Sequence, residues 1–293
     1  MSAFSKIHPI TAAVYFAAVI SVGMFASNPV IQLISLAGGA LFCAMLTSKK
    51  EKKRDFVFYI PLMLLITVTN PLFSHNGVTP LFFLNGNPVT AEAIIYGAHL
   101  AVMTASVMLM CKAFSIVITS DKLVYLFGRI TPKLALVLST ALRYIPMLRR
   151  QAAKISRTQK AMGLYSTESY ADRLKSAIKV TGVLIGWSLE NAIETAKSMK
   201  ARGYGLKGRT DYSDFRFKKA DLALLCICLI LWGTVIAGMA TGKLDFEYYP
   251  AITAIPTGAF SLICYAAHAC LALLPFIIET EELIRWNCCR SKI

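Results

Sequence analysis

The sequence predicts an all-α membrane protein, a polytopic helix bundle that carries long amphipathic helices on its cytoplasmic side. Three observations predict it. The 293 residues are 56% hydrophobic with a mean hydropathy of +0.57, more apolar than a soluble domain of this length. Six stretches approach the ~20 apolar residues that a span requires. The formal charge of +15 is concentrated in alternate connections between those stretches.

The candidate spans are Ile10–Ser27, Pro29–Thr47, Phe56–Phe73, Ala93–Ser120, Leu222–Thr241 and Ala251–Ile278. An Asn28-Pro29 turn joins the first pair. Asn70-Pro71 closes the third, and a loop rich in turn residues follows it (Asn76-Gly77, Asn85-Gly86-Asn87-Pro88). The cationic residues are Lys6, the cluster Lys49–Arg54, the region Lys122–Lys219, and Arg285, Arg290 and Lys292. The loop Ser74–Val89 has no Lys or Arg, and Lys243 is balanced by Asp245 and Glu247. The positive-inside rule therefore places both termini and the large basic region in the cytoplasm. The expected organisation is a four-span bundle over residues 1–120, a cytoplasmic region over 121–219, and two further spans with a tail over 220–293. A basic surface so placed faces anionic lipid headgroups and acidic partners, so the lipid bilayer is a partner and nucleic acid is not. No signal-peptide pattern is expected, because the first span lacks a small-residue cleavage site and another span follows at once. The eight Cys are scattered without zinc-ligand spacing. Most lie in spans, where Cys is a small hydrophobe.

Within the basic region, Leu134, Leu138, Ala141, Ile145, Leu148, Ala152 and Ile155 recur at steps of four and three, one stripe of a helix. Pro132 suits its first turn. Pro146 is expected to kink or split it, and Gly163 to stop it. A second helix runs from about Tyr170 to Arg202, with a stripe of Leu174, Ile178, Thr181, Ile185, Leu189, Ala192, Ala196 and Met199. Gly182 and Gly186 sit on its polar face four residues apart. Glycine costs roughly 1 kcal/mol inside a helix, and close helix crossing at this pair is a physical return for it. Each helix ends in a small-x-Gly tripeptide: Ala161-Met162-Gly163 and Ala201-Arg202-Gly203. Ordinary helix stops read the same way. Their parallel placement on two cytoplasmic helices favours docking sites, with Arg202 as a permanent charge bearing a rigid fork of donors.

Several patterns look chemical and are not. Gly203-Tyr204-Gly205-Leu206-Lys207-Gly208 spells G-x-G-x-x-G, but a nucleotide loop needs a strand before it and a helix after it within a parallel sheet. Here a helix precedes and a span follows. No catalytic motif, cofactor site or metal-ligand set appears, so the chain is not expected to be an enzyme. The four His form no triad. Glu92 and His99 share one face of the fourth span, and a proton-coupled carrier or membrane enzyme using His99 and Glu92 is the alternative reading. A permease that binds substrate itself would need a polar cavity, and the spans offer few polar groups for one.

Ala141-Leu142-Arg143-Tyr144-Ile145-Pro146-Met147-Leu148, the basic helix onward to Ala161-Met162-Gly163, and Met199-Lys200-Ala201-Arg202-Gly203-Tyr204-Gly205 resemble the transmembrane T component of energy-coupling factor (ECF) transporters. His8-Pro9 and Asn70-Pro71-Leu72-Phe73 are similar to that family's start and mid-region. The resemblance covers nearly the whole chain. It implies a scaffold in the cell membrane of a prokaryote, for vitamin or trace-metal uptake. Two ABC-type ATPase subunits would dock on its two Arg motifs, and a separate substrate-binding membrane subunit, the S component, would share the bundle. ATP hydrolysis would then belong to partners. Carried over by position, the motifs are Ala161-Met162-Gly163 and Ala201-Arg202-Gly203. The first has Met162 where the family has Arg, and Arg157 or Lys160 lies within about one turn to substitute.

Overall fold

Each of the first two helices begins where a polar side chain precedes a proline. His8 and Asn28 cap them, accepting from the backbone N–H of Ile10 at 3.3 Å and of Val30 at 3.0 Å. Pro9 and Pro29 fill the first helical position, where no N–H is needed. The computed structural model describes residues 4–74, 76–84, 87–163, 170–206 and 215–290. Among them the chain forms α1 (Pro9–Phe25), α2 (Pro29–Leu46), α3 (Lys49–Phe73), α4 (Ala91–Val117), α5 (Ser120–Ile130), α6 (Pro132–Ala161), α7 (Tyr170–Ala201), α8 (Lys219–Ala240) and α9 (Ala259–Arg290). Strands β1 (Pro80–Leu84) and β2 (Asn87–Thr90) pair antiparallel between α3 and α4. The chain divides into two compact units, Met1–Thr119 with Phe215–Ile293, and Ser120–Asp214.

The first unit is an all-α membrane bundle. Helices α2, α3, α4, α8 and α9 are long and apolar enough to cross a membrane. Helix α1 is a shorter apolar helix of 17 residues, at the lower limit for a span. Inside a bilayer lipid is as apolar as leucine, so helices associate through close packing and interhelical hydrogen bonds. Both devices are present. A Cβ on Gly38 of α2 would come within 2.8 Å of the Ala272 carbonyl oxygen of α9, and one on Gly97 of α4 within 2.8 Å of the Thr67 carbonyl oxygen of α3. Only glycine admits these approaches. Ser35 bonds His268 Nε2 at 2.7 Å, and Gln32 donates to the Gly23 and Ala26 carbonyls at 2.7 and 2.9 Å. Asn28 donates to Leu244 O and the Tyr265 hydroxyl at 3.2 and 2.8 Å. Phe4, Tyr15, Phe16 and Phe42 meet edge to face or tilted within this core.

The bundle is also tied at the end where its N-terminus lies. The Asp221 carboxylate accepts from His8 N at 3.2 Å and from Lys218 N at 3.0 Å, so one side chain pins the starts of α1 and α8. Glu279 of α9 accepts from Phe4 N at 3.2 Å, and Lys6 pairs with Glu282 at 2.5 Å. Lys112 of α4 pairs with Asp55 of α3.

Three expectations change. The last span starts at Ala259 rather than Ala251, because Pro250, Pro256 and Gly258 keep the preceding segment out of a helix. The basic cluster Lys49–Arg54 forms the first turns of α3 rather than a loop. The loop between α3 and α4 contains a β-hairpin in an otherwise helical protein.

The second unit contains α5, α6 and α7. Helix α5 was not expected from the sequence pattern. Helix α6 begins at Pro132 and passes through Pro146 without being split. It packs on α7 through Tyr144 with Thr195 (2.9 Å) and Met147 with Asn191 (3.8 Å). As residue numbers rise on α6 they fall on α7, so the two helices run in opposite senses.

Candidate coupling site at the ends of the amphipathic helices

Both tripeptides occupy the same structural position. Ala161 and Ala201 are the last helical residues, Met162 and Arg202 the caps, and Gly163 and Gly203 the residues just beyond. Gly163 has φ +68° and Gly203 φ +78°, the left-handed conformation in which a Cβ costs about 1–2 kcal/mol. After α7 the ending is a Schellman motif: Gly203 N donates to Lys200 O at 3.0 Å and Tyr204 N to Met199 O at 3.0 Å. After α6, Gly163 N donates to Lys160 O at 3.1 Å. Residues 164–169 and 207–214 lie outside the described residues, and with them the rest of the G-x-G-x-x-G segment.

The geometry presents residue 162 or 202 outward at a sharp turn. Met162 is 67% exposed, and Arg202 is exposed with no ion pair among the described residues. Arg157 and Lys160, five and two residues before Met162, are exposed. Because α6 and α7 are antiparallel, their C-terminal ends lie on opposite sides of the crossing. Roughly 21 Å of helix separates Met147 from Ala161, and roughly 9 Å separates Thr195 from Ala201.

The apolar stripe of α7 is largely uncovered by the described residues. Leu174, Ile178, Ile185 and Leu189 are all more than half exposed. The face turned inward carries Ser176, Val180, Leu184, Trp187, Asn191, Thr195 and Met199. Gly182 and Gly186 have nothing within 4 Å of a built Cβ, so no residue described in this chain uses the close approach they permit. On α6 the stripe is mixed: Leu138, Leu148, Ala152 and Ile155 are half-buried, whereas Leu134, Ala141 and Ile145 are exposed. Hydrophobic periodicity located the stripes and could not say what covers them. An open groove of about 580 Å³ between α5 and α6 is lined by Ser120, Asp121, Val124, Ser139, Leu142 and Arg143. The periodicity predicts the α6 wall of this groove and not the α5 wall.

The model of the CbiQ family, described as cobalt transport proteins, matches residues 2–212 and so takes in both tripeptides and both long helices. The chain belongs to this family, the transmembrane T components of energy-coupling factor transporters. An energy-coupling factor transporter transmembrane protein EcfT from Listeria innocua is 30% identical over 214 residues, covering 66% of this chain and 80% of its own. EcfT of Bacillus selenitireducens is 29% identical over 191 residues, 61% of this chain and 71% of its own. EcfT 1 of Listeria monocytogenes is 24% identical over 181 residues, 58% and 68% of the two chains. The T-component match stops before α8, so the resemblance read over nearly the whole chain is carried by residues 2–212.

As a T component the chain is a transport membrane subunit, and the remaining candidates read as structure. Glu92 and His99 lie about 10.5 Å apart along α4. Both Glu92 oxygens accept from Thr79 Oγ1 at 2.8 Å, which ties the loop before α4 to its first turn. His99 is enclosed by aromatic rings: Tyr248 at 4.8 Å and Tyr96 at 6.4 Å. Tyr249 also meets Tyr96 at 5.3 Å. These contacts hold the segment before α9 against α4, and burial raises the Tyr248 hydroxyl well above the usual tyrosine range. Among the described residues no cluster of three His, Cys, Asp or Glu is placed to hold a metal.

Proposed function

We propose that this chain is the scaffold and coupling subunit of an ATP-driven ECF importer in a prokaryotic cell membrane, with both termini cytoplasmic. Two ABC-type ATPase subunits dock at its two helix ends, one at Ala201-Arg202-Gly203 and the other at Ala161-Met162-Gly163. A separate substrate-binding membrane subunit supplies the specificity, for a vitamin or a trace metal. The observation that carries this reading is the pair of equivalent, outward-facing helix endings on antiparallel helices. Two identical or related partners gripping opposite ends of a crossed pair would turn any change in their separation into tilting of α6 and α7.

The exposed stripe of α7, with Gly182 and Gly186 beside it, is the surface on which a partner helix crosses closely. An Arg fork against a carboxylate is a strong, directional pair. Burying Arg202 in a partner groove makes its truncation cost about 2–5 kcal/mol, a loss in affinity of roughly 30-fold or more. The test is copurification of the complete transporter. Two nucleotide-binding subunits and a small hydrophobic membrane protein should accompany the chain, and Arg202→Ala should release ATPase and abolish uptake. Full assembly and uptake by Arg202→Ala would overturn the docking role. Substrate transport by the purified chain alone would favour the His99 and Glu92 carrier.

A further inference from the structure

Leu81, Phe82 and Phe83 follow one another in β1; the pairing with β2 shifts between Pro80 and Phe82, which leaves Leu81 at a bulge, and the consecutive paired residues Phe82 and Phe83 point to opposite faces. They are 60%, 51% and 71% exposed. A hairpin lying in water keeps polar side chains on its solvated face, and β1 has no such face over these three residues. Val78, just before the strand, is 65% exposed as well.

The hairpin is fastened at a defined level. Ala91 N donates to Thr79 O at 3.1 Å, and Thr90 Oγ1 donates to Asn76 O at 2.7 Å. Pro80 of β1 pairs with Thr90, which caps α4. The base of β1 is therefore bonded to the first turn of a membrane helix and lies where that helix enters the bilayer interface. From that base five strand residues reach about 17 Å, enough to follow the headgroup layer. No Asp, Glu, Lys or Arg occurs from residue 74 to 90, so no charge resists entry into lipid. Helix α3, which packs against β2, also exposes apolar residues toward its end: Leu65, Val68, Leu72 and Phe73 are exposed at 64%, 58%, 47% and 82%.

We propose that the β1–β2 hairpin is a membrane-interface anchor, with Leu81, Phe82 and Phe83 lodged at the boundary between headgroups and acyl chains beside α3 and α4. Its partner is the lipid surface, recognised through apolar and aromatic contact without charge.

The test uses the full chain in phosphatidylcholine nanodiscs, with acyl chains either plain or brominated near the headgroup. Phe83→Trp and Phe82→Trp place an indole on either face of β1, and subtracting the parent emission isolates it. Both added indoles should emit to the blue of indole in water, and brominated lipid should quench most of that emission. Neither added salt nor anionic lipid should change the result. Emission as in water without quenching overturns the proposal, and so does quenching of one position alone. Shielding that develops only when other subunits join would also overturn it, making the hairpin a protein-docking surface.

Discussion

At the residue scale, single side chains hold more than their own element. Asp221 satisfies two backbone donors from different parts of the chain, His8 N and Lys218 N, and is 8% exposed. Asp221→Ala removes that acceptor from both, and losing the buried bond to His8 N costs about 1–3 kcal/mol. The thermal midpoint of the purified chain in detergent should fall clearly, while a surface control such as Lys175→Ala should not move it. Met162 and Arg202 occupy equivalent caps but differ in charge. ATPase binding at the Arg202 end should weaken with salt more than binding at the Met162 end. Titration of ATPase retention against ionic strength, in Arg202→Ala and Met162→Ala complexes, distinguishes the two ends. Equal losses from both variants would contradict the asymmetry.

At the element scale, α7 separates stability from assembly. Leu189 on its outward stripe is 60% exposed, so Leu189→Gln should change free-chain stability by no more than about 0.5 kcal/mol. The same variant should reduce recovery of the complete complex. Gly182 and Gly186 sharpen the point. With open space around both, Gly182→Ala and Gly186→Ala should stabilise the free chain by about 0.5–1 kcal/mol each through helix propensity. If a partner helix crosses there, the added methyls should weaken assembly. A pair of variants that is more stable alone and assembles equally well would rule out the crossing. Gly38 is the opposite case, because Ala272 already fills its space; Gly38→Leu should force α2 from α9 and lower the thermal midpoint.

At the scale of the whole molecule, one unit builds a membrane bundle and the other carries two crossed amphipathic helices. The spans were legible because a bilayer demands long apolar runs and satisfied backbone groups, and both leave a trace in composition. The boundaries at Asn28-Pro29, Pro132 and Gly163 were legible because capping is local chemistry. Helix α5 was not, since an 11-residue amphipathic element leaves too few periods to stand out. The start of α9 was misplaced because hydropathy counts Ala251–Gly258 as apolar and does not register that Pro250 precedes it and Pro256 interrupts it. The hairpin before α4 was hidden for a related reason: its turn residues read as loop, and pairing depends on the distant anchor between Thr79 and Glu92.

The sequence by itself determined the membrane class, the helix endings and the positions of Arg202 and Met162, all of which depend on residues within a few positions of one another. The tertiary structure alone decided which faces are spent and which are free. It buries Gly38 against Ala272, engages Glu92 with Thr79, and leaves Leu174, Ile178, Ile185 and Leu189 of α7 uncovered. Periodicity shows that a helix has an apolar side. Only the three-dimensional arrangement shows whether this chain covers that side itself or leaves it for a partner.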